Sequence, residues 1–525
     1  MKINYCLNFG RGKPWVEINN GYYTGSAFIG NEFLTESAIR ESFKHLNTIE
    51  SIKKFVSELN GSFAITIILD GVVVLIVDRE RTIPLYYEIQ GDVVTVYNHI
   101  SLDTIKEHGL NQTAFKELDD SLFVAGRKNL AQNIYGVMAG ELLEITHSGE
   151  ILSHSYYILG NKNIAYNSQE ELYQVIDEKF IQTTKRLIQY LNGRCAVIPL
   201  SGGHDSRLLV YYLKLLGYDN IFTYTYGPKD NFETETSKRV AEFLDVEWRF
   251  VEYKPKELRK LLKRGFYELM DYYSNGTSSV CIQDWYAVDF LHTNHCIPED
   301  GVFVPGHSFD CVAGSFILPK YIKQDTIETT DLIKDIIWKH FSEGRRNLPE
   351  NDYNYFSDMI CASFPEDIPE TMTADEAFKL YQIYNIRERQ AKYICTSVKT
   401  YEYYGYDWYL PLWDKELVDL WESLPLKEKY DRKLFFDFTE YKYPALMEYA
   451  PVKNQKIKTS NLSKTNVVYR LFRKVKQLIN YREFHYCLAY FSRIEVYKVF
   501  FSTHFLNIGI VVNYKMKNLI RRKIK

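Results

Sequence analysis

Over residues 1–158, short apolar runs are separated by polar turns, a pattern that predicts strands. Apolar runs flank Gly71 in SFAITIILDGVVVLIVDRE and Gly91 in LYYEIQGDVVTVYN, which indicates two successive β-hairpins. Helical periodicity is limited to three segments, at about 36–46, 50–59 and 113–122. The pattern predicts a strand-rich α+β fold for this part of the chain.

From about residue 170 the pattern changes to strands that alternate with helices. The amphipathic segment ELYQVIDEKFIQTTKRLIQYL predicts a helix, and the apolar runs CAVIPL, IFTYTY and VEWRFVEY predict strands. Helices are predicted from Ser206 and from Glu233, and GVFVP predicts a later strand. Such alternation is typical of a parallel sheet with helices on both faces. Residues 372–440 show a helical pattern rich in Tyr and Trp.

The chain has 525 residues, of which 46% are hydrophobic, and this is enough for two or three buried cores. We therefore divide it into an α+β domain (1–160), a parallel-sheet domain (170–450) and a C-terminal helical extension (456–525). The net charge of -3 gives no overall nucleic-acid signature. Eight scattered Cys residues form no CxxC pair, and the early residues contain no apolar signal segment. These features favour a reduced, cytoplasmic protein.

The C-terminal extension differs in charge from the rest of the chain. It contains 16 Lys and Arg against 2 Asp and Glu, and YRLFRKVKQLINYREF within it predicts a basic amphipathic helix. Such a helix can lie on an anionic membrane surface or bind a partner. It can equally form a helical cap with a charged outer face. The sequence leaves these interpretations open, including a peripheral contact with the inner face of the membrane.

The turn SGGHDS, residues 201–206, interrupts two apolar runs between a predicted strand and a predicted helix. In open parallel sheets, this edge is where ligands bind. Gly202 and Gly203 allow close approach of a ligand, and the free amides of a helix start favour an anion. Asp205 is compatible with a phosphate only if a metal lies between them. The alternative is a helix capped by Asp or Ser. Neither GxxxxGK[ST] nor GxGxxG is present here.

SGGHDS resembles the SGGxDS pyrophosphate loop of the ATP pyrophosphatase superfamily, also called PP-loop proteins. Asparagine synthetases, β-lactam synthetases and NAD synthetases belong to this superfamily. The resemblance implies binding of ATP and Mg²⁺, cleavage of ATP between its α and β phosphates, and an adenylated intermediate. It does not identify the acceptor.

Further segments resemble asparagine synthetases in collinear order over roughly residues 1–440. They are GSFAITIILDGVVVLIVDRERTIPLYY (61–87), YGVMAGELLEI (135–145), FETETSKRVAEFLDVEW (232–248), GHSFDCVAGS (306–315), LPLWD (410–414) and RKLFFDF (432–438). The resemblance implies an Ntn-hydrolase-like α+β sandwich, of the type-2 glutamine amidotransferase kind, followed by a PP-loop synthetase domain.

The resemblance also implies roles for individual residues. Eight residues would bind the nucleotide, namely Leu200, Ser201, Gly202, Gly203, Asp205, Ser206, Tyr226 and Gly306. Asp205 and Asp310 would hold Mg²⁺. His307 stands where relatives place a residue that assists amine attack, with a substrate-binding His as the alternative. Lys433 would stabilise the transition state, or be a surface lysine. Asp407 would orient His307 or the amine, or form a structural ion pair.

The N-terminal domain departs from the family pattern. Family glutaminases use an N-terminal Cys at position 2, where this chain has Lys2. Cys6 lies in a predicted strand, lacks a free α-amine and is interpreted as a small buried hydrophobe. Glutaminase activity is therefore expected to be absent, and ammonia or an amine would come from outside this domain.

The segment RERQAKYICTSVKTYEYYGYDWYLPLWD (387–414) resembles synthetase-like amidotransferases of O-antigen and capsule gene clusters. The Tyr and Trp side chains of this segment suit a sugar ring, and its Arg side chains suit a carboxylate. The alternative is that these aromatic residues pack in the core of a helical domain. We predict amidation of a uronic-acid-type sugar, free or lipid-linked, in surface-polysaccharide biosynthesis. The alternatives are amidation of aspartate with free ammonia, an intramolecular cyclase of the β-lactam or lasso-peptide kind, and a non-catalytic scaffold. A homodimer is a further expectation; nucleic acid is not an expected partner.

Overall fold

A computed structural model describes residues 2–8, 12–157, 159, 166–227, 229, 232–341, 348–364, 368–447, 496 and 508–524. Its first part is a sandwich of two sheets. The strands are β1 (Lys2–Cys6), β2 (Trp15–Ile18), β3 (Gly21–Ile29), β4 (Glu32–Phe33), β5 (Leu59–Leu69), β6 (Val72–Val77), β7 (Tyr86–Gln90), β8 (Val93–Tyr97), β9 (Tyr135–Gly136), β10 (Glu141–Ile145) and β11 (Ile151–Ser155). The helices are α1 (Glu36–His45), α2 (Ile49–Glu58), α3 (Leu102–His108) and α4 (Gln112–Asp120).

The seven-stranded sheet has the order β11-β10-β6-β5-β3-β2, with β4 paired to β3, and the second sheet has the order β1-β8-β7-β9. Both predicted hairpins are present, β5 with β6 and β7 with β8. Asp70 and Gly71 form the first turn with φ of 46° and 77°, the left-handed pair that a two-residue hairpin requires. The helices predicted in this region are confirmed as α1, α2 and α4.

Strand β6 shows how the layers are held together. Its alternate residues Val73, Leu75 and Val77 share one core with Val94 and Val96 of β8 in the facing sheet. Residues Val74 and Ile76 belong to a second core that contains Ile39 of α1 and Ile52 of α2. The period of two therefore places one sheet and one helical layer on opposite faces of the same strand.

The second part is built on a parallel sheet with the order β14-β13-β12-β15-β18. The strands are β12 (Ala196–Pro199), β13 (Ile221–Gly227), β14 (Glu247–Glu252), β15 (Val302–Phe303) and β18 (Asp407–Trp408). All four pairings between them are parallel. The predicted fold class, an α+β sandwich followed by a parallel-sheet domain, is confirmed. The strand order reverses between β12 and β15, so the loops after these two strands flank a switch point.

Helices connect and cover this sheet. They are α5 (Gln169–Leu191), α6 (His204–Leu215), α7 (Phe232–Phe243), α8 (Pro255–Ser274), α9 (Trp285–Thr293), α10 (Phe309–Val312), α11 (Lys320–Lys323), α12 (Thr329–His340), α13 (Glu350–Cys361), α14 (Ala374–Asn385), α15 (Lys399–Tyr403), α16 (Lys415–Glu422), α17 (Leu426–Lys429), α18 (Lys433–Lys442) and α19 (Pro444–Met447). The antiparallel pair of β16 (Thr326–Glu328) and β17 (Thr371–Thr373) accompanies a separate helical core around α12, α13 and α14. Between α14 and α15 the chain forms a π-helix (Ile386–Ile394) and a 3₁₀ turn (Cys395–Val398).

The last helix, α20 (Ile508–Ile524), packs on the N-terminal part of the molecule against α3 and α4. Val511, Val512, Met516 and Ile520 are buried, and the Asn513 side-chain amide donates to the Leu118 carbonyl at 2.6 Å. For this helix the structure therefore favours the helical cap over a membrane contact. The basic segment 469–484 lies outside the described residues. Among the residues that are described, no helix is long and apolar enough to cross a membrane.

The boundaries at 160, 170 and 456 stay predictions. Residues 160–165 and 448–495 lie outside the described part of the chain, so the connections there are not assigned.

Docking of α20 can be tested through stability. Met516→Ala leaves a cavity beneath the helix and is expected to lower the free energy of unfolding by about 2–5 kcal/mol. Arg522→Ala, at an exposed position of the same helix, is the matched control and should stay within about 0.5 kcal/mol. Urea titration followed by circular dichroism measures both. Equal stabilities would show that α20 is not docked in solution.

Candidate active site at the switch point of the parallel sheet

The loop after β12 has the strand–turn–helix form that the sequence predicts. Helix α6 begins at His204, two residues earlier than predicted, with Gly203 at the N-cap position and no side-chain cap. The alternative of an Asp-capped or Ser-capped helix is therefore wrong. The Ser201 backbone N–H donates to Ser206 Oγ at 3.2 Å, and the Gly203 N–H donates to Ser201 Oγ at 3.1 Å. The loop thus curls over a helix start that presents amides suited to an anion.

The loop after β15 lies directly against this helix start. A Cβ atom added at Gly306 would meet the Ser206 backbone nitrogen at 2.8 Å and its Cα at 3.0 Å. Only glycine permits this approach without displacing backbone. Ser308, which precedes α10, has a φ of 75°, a left-handed conformation that is rare for a residue with a side chain.

The two loops open into a cleft of about 510 Å³. Most of the predicted site residues line it, namely Ser201, Asp205, Ser206, Tyr226, Gly306, His307 and Asp310. Leu200 and Gly202 are buried behind the loop, and Gly203 is on its exposed side. The Leu200 carbonyl accepts a hydrogen bond from Thr225 Oγ1 at 2.6 Å, which ties the start of the loop to β13.

Asp205 is the charged side chain of the loop 201–206. Burial raises its pKa; the Arg432 guanidinium, which donates to Asp205 Oδ1, opposes this effect, and the Asp310 carboxylate adds to it. Asp205 and Asp310 are therefore close enough to repel one another. A divalent cation between them would relieve that repulsion.

The residues present fit a magnesium ion that is brought with phosphate. Mg²⁺ in nucleotide sites is held by one or two carboxylates together with phosphate oxygens and water. Asp205 and Asp310 supply the two carboxylates. Within the described ranges no group of three or more His, Cys, Asp and Glu forms a metal cage, and this kind of site does not need one.

His307 is partly buried and lines the same cleft as Ser201, Asp205 and Ser206. Its Nε2 atom is inaccessible to solvent and has no hydrogen-bond partner among the described residues. Burial lowers the pKa of His307 to about 4, because the charged imidazolium is disfavoured there. The ring is therefore neutral at physiological pH and able to accept a proton.

Two predicted residues are not brought to the cleft. Lys433 lies at the start of α18, where its side chain is 65% exposed and pairs with Asp437, so the surface alternative holds for it. Asp407 lies at the amino end of β18, whereas the cleft is at the carboxyl edge of the sheet. Asp407 forms ion pairs with Lys13 at 2.8 Å and with Arg194 at 2.9 Å. The structural alternative is therefore correct for Asp407, and it does not orient His307.

Arg432, next to Lys433, contacts the cleft residue Asp205 instead. It follows Asp431 in a turn where both residues are left-handed, with φ of 56° and 62°. This turn directs the Arg432 guanidinium to Asp205 and over the Phe435 ring at 4.5 Å. The sequence shows adjacent cations at positions 432 and 433, and the resemblance points to Lys433. The left-handed turn instead directs Arg432 toward Asp205 and leaves Lys433 at the surface.

Other cleft residues have no motif that could have revealed them. The π-helix contributes Arg389, Gln390 and Ile394, and separate loops contribute Gln283 and Asp284. Their places depend on helix packing that local periodicity does not encode. Nine consecutive π-helical residues are unusual, and such segments are frequent at functional sites.

The aromatic segment 387–414 contributes less to the cleft than predicted. Tyr401 lines it, but Trp408 is fully buried and its indole nitrogen donates to Glu402 at 2.8 Å. For Trp408, core packing is therefore the correct interpretation.

In the N-terminal sheet, Cys6 lies in β1 as predicted but is exposed, which corrects its interpretation as a buried hydrophobe. Lys2 begins the same strand.

No family model and no curated protein matches this chain. Among solved structures, it is similar to NH3-dependent NAD synthetase from Campylobacter jejuni, with 15% identity, a TM-score of 0.22, and coverage of 39% of this chain and 99% of that chain. It is also similar to glutamine-dependent NAD+ synthetase from Acinetobacter baumannii (12% identity, TM-score 0.21, 50% of this chain and 51% of that chain). A third similar structure is glutamine phosphoribosylpyrophosphate amidotransferase from B. subtilis, with 12% identity, a TM-score of 0.18, and coverage of 55% of this chain and 63% of that chain. At these values the likeness carries no argument about chemistry.

The close contact at Gly306 gives a prediction for nucleotide binding. Gly306→Ala forces the two loops apart and is expected to weaken binding of magnesium-ATP by about tenfold or more, since displacements of about 1 Å suffice for such losses. Gly91→Ala is the control, because it introduces strain at a positive φ in a remote hairpin without touching the cleft. Isothermal titration calorimetry measures both variants. Unchanged affinity in Gly306→Ala would mean that ATP does not bind between these loops.

Proposed function

We propose that this protein is an ATP-dependent carbon–nitrogen ligase that adenylates a substrate carboxylate and transfers ammonia or an amine to it. The observation that supports this most directly is the meeting of two loops at the switch point of the sheet. Their meeting brings a helix start with free amides, the two carboxylates Asp205 and Asp310, and the neutral His307 into one cleft.

In the first half-reaction, an oxygen of the substrate carboxylate attacks the α-phosphorus of ATP. The bond between that phosphorus and the bridging oxygen of the β-phosphate breaks, and pyrophosphate leaves with the electron pair. The amides and hydroxyls of residues 201–206 would hold the departing phosphates. Asp205 and Asp310 would hold Mg²⁺, which when bound neutralises charge on the leaving group.

In the second half-reaction, the nitrogen attacks the carbonyl carbon of the acyl-adenylate. The bond from that carbon to the phosphate oxygen breaks and AMP leaves. His307 accepts a proton from the nitrogen, a role that its neutral imidazole permits. Arg389, which lines the cleft, and Arg432, which contacts Asp205, can offset charge on the adenylate.

For the acceptor we propose a uronic-acid-type sugar in surface-polysaccharide biosynthesis, within an asparagine synthetase-like family. Tyr226, which is partly exposed in the cleft, offers an aromatic ring and Arg389 offers a partner for a carboxylate. Aspartate amidation with free ammonia, an intramolecular cyclisation and a non-catalytic scaffold remain the alternatives.

Nitrogen would come from free ammonia, a separate glutaminase or a substrate amine, since Lys2 stands in place of the nucleophilic Cys. A cytoplasmic location, membrane contact through the basic C-terminal region and a homodimer are further proposals.

Pyrophosphate release tests the reaction. Wild type with magnesium-ATP, ammonium chloride and D-glucuronate, D-galacturonate or aspartate is expected to release pyrophosphate, and Asp205→Asn or Asp310→Asn should lower the rate roughly 100-fold. Asp219→Asn, on the exposed surface, should leave it unchanged. Equal pyrophosphate release by wild type and all three variants, or no release above background by wild type, would favour a non-catalytic scaffold protein.

A pair of adjacent variants tests which cation acts in the cleft. Arg432→Gln removes the partner of Asp205 and is expected to reduce the rate of pyrophosphate release by at least about tenfold. Lys433→Gln should change it less than about twofold, because surface substitutions are usually close to neutral. Initial rates at saturating ATP give the comparison. The reverse order of effects would restore the family role of Lys433.

A further inference from the structure

Asp284 is a cleft residue that neither the phosphate loop nor the family motifs include. It lies at the N-cap position of α9, and only 8% of the residue is exposed. Its side chain lines the same cleft as His307 and Tyr401. Unlike Asp205, it lies outside the two loops that would hold phosphate.

No described cation pairs with Asp284, although Arg389 lines the same cleft. Its Oδ2 accepts a hydrogen bond from the Tyr401 hydroxyl at 2.9 Å, and the described residues place no Lys, Arg or His in an ion pair with it. Burial raises its pKa to about 6, with the Tyr401 hydrogen bond acting in the opposite direction. At neutral pH this carboxylate is therefore mostly ionised, buried and uncompensated.

A buried charge without a partner is costly, so a cationic ligand would be stabilised at Asp284. A divalent metal would find one carboxylate and a neutral hydroxyl there, and no cluster of three metal-binding side chains exists among the described residues. An ammonium group needs only one carboxylate together with further oxygen acceptors. The Tyr401 hydroxyl oxygen can accept as well as donate, and its ring is held by stacking on Phe303 at 4.1 Å.

We infer that Asp284 binds the nucleophile of the second half-reaction as an ammonium ion or a protonated primary amine. This inference rests on the proposed function and names its nitrogen subsite. The bound ammonium loses one proton to water, and the resulting neutral amine attacks the acyl-adenylate carbon. Once the carbon–nitrogen bond has formed, the His307 imidazole takes the second proton from that nitrogen, the carbon–oxygen bond to AMP breaks, and AMP leaves with the electron pair.

Two nucleophiles separate amine binding from adenylation. Hydroxylamine is largely neutral at slightly alkaline pH and traps acyl-adenylates as hydroxamates, so it does not depend on a cation subsite. With D-glucuronate and magnesium-ATP, Asp284→Asn should raise the KM for ammonium by about tenfold. The rate of hydroxamate formation and the KM for ATP should stay within about twofold of wild type.

Matched variants keep this test interpretable. Asp300→Asn, at an exposed position outside the cleft, should behave as wild type, and Asp284→Glu should retain part of the ammonium affinity because it keeps the charge. An equal loss with both nucleophiles, or a raised KM for ATP in Asp284→Asn, would overturn the inference and point to nucleotide binding instead.

A binding measurement distinguishes failure of this inference from failure of the proposed function. Methylammonium chloride should raise the thermal midpoint of wild type and Asp300→Asn above that in sodium chloride of equal ionic strength. It should not raise that of Asp284→Asn. If no carboxylate is amidated yet this protection depends on Asp284, the proposed function fails and the cation subsite stands. If a carboxylate is amidated but methylammonium does not raise the thermal midpoint, the cation subsite is wrong and the proposed function stands. The same conclusion follows if only magnesium chloride raises the midpoint through Asp284.

Discussion

The buried Asp414 carboxylate, held by Arg186 and by Asn60, joins the sandwich to the parallel-sheet part of the molecule. Arg186 of α5 donates to Asp414 through Nε at 2.7 Å and Nη2 at 2.8 Å, and both residues are almost fully buried. Asn60 of β5 donates to the same carboxylate at 2.9 Å. Because a buried carboxylate must keep its donors, the positions of β5, α5 and the start of α16 are coupled. The Asp of the LPLWD motif is therefore an architectural residue.

This coupling separates structural charges from those available to a ligand. Asp407, Lys13 and Arg194 satisfy one another at the amino end of β18. At the carboxyl edge, beside the switch point, the carboxylates are only partly compensated by protein groups. In a parallel sheet the helix starts also converge on that edge. The same strand directions thus produce a closed ionic network at one edge and a cleft suited to charged ligands at the other.

Much of the fold was predictable because it depends on local periodicity. The alternating residues of β5 and β6, the Asp70–Gly71 turn and the glycines of SGGHDS each carry their structural requirement within a few positions. Lys433 was misplaced because a strained turn at Asp431 and Arg432 changes which neighbour points inward. For Asp407 and Trp408 the sequence left a functional and a structural interpretation open, because strand register and burial depend on distant elements. Asp284 could not have been found from the sequence, since nothing near it in the chain shows that it contacts Tyr401 and lines the same cleft as His307.

The three carboxylates of the cleft differ in their partners, and that difference bears on the order of the proposed reaction. Asp205 is held by Arg432 and repelled by Asp310, so a cation that arrives with phosphate relieves an existing repulsion. Asp284 has a neutral hydroxyl as its side-chain partner. A monovalent nitrogen cation suits it better than a phosphate-bound metal does. Phosphate chemistry and nitrogen binding would then use different carboxylates, so the nitrogen cation and the nucleotide need not compete for one site.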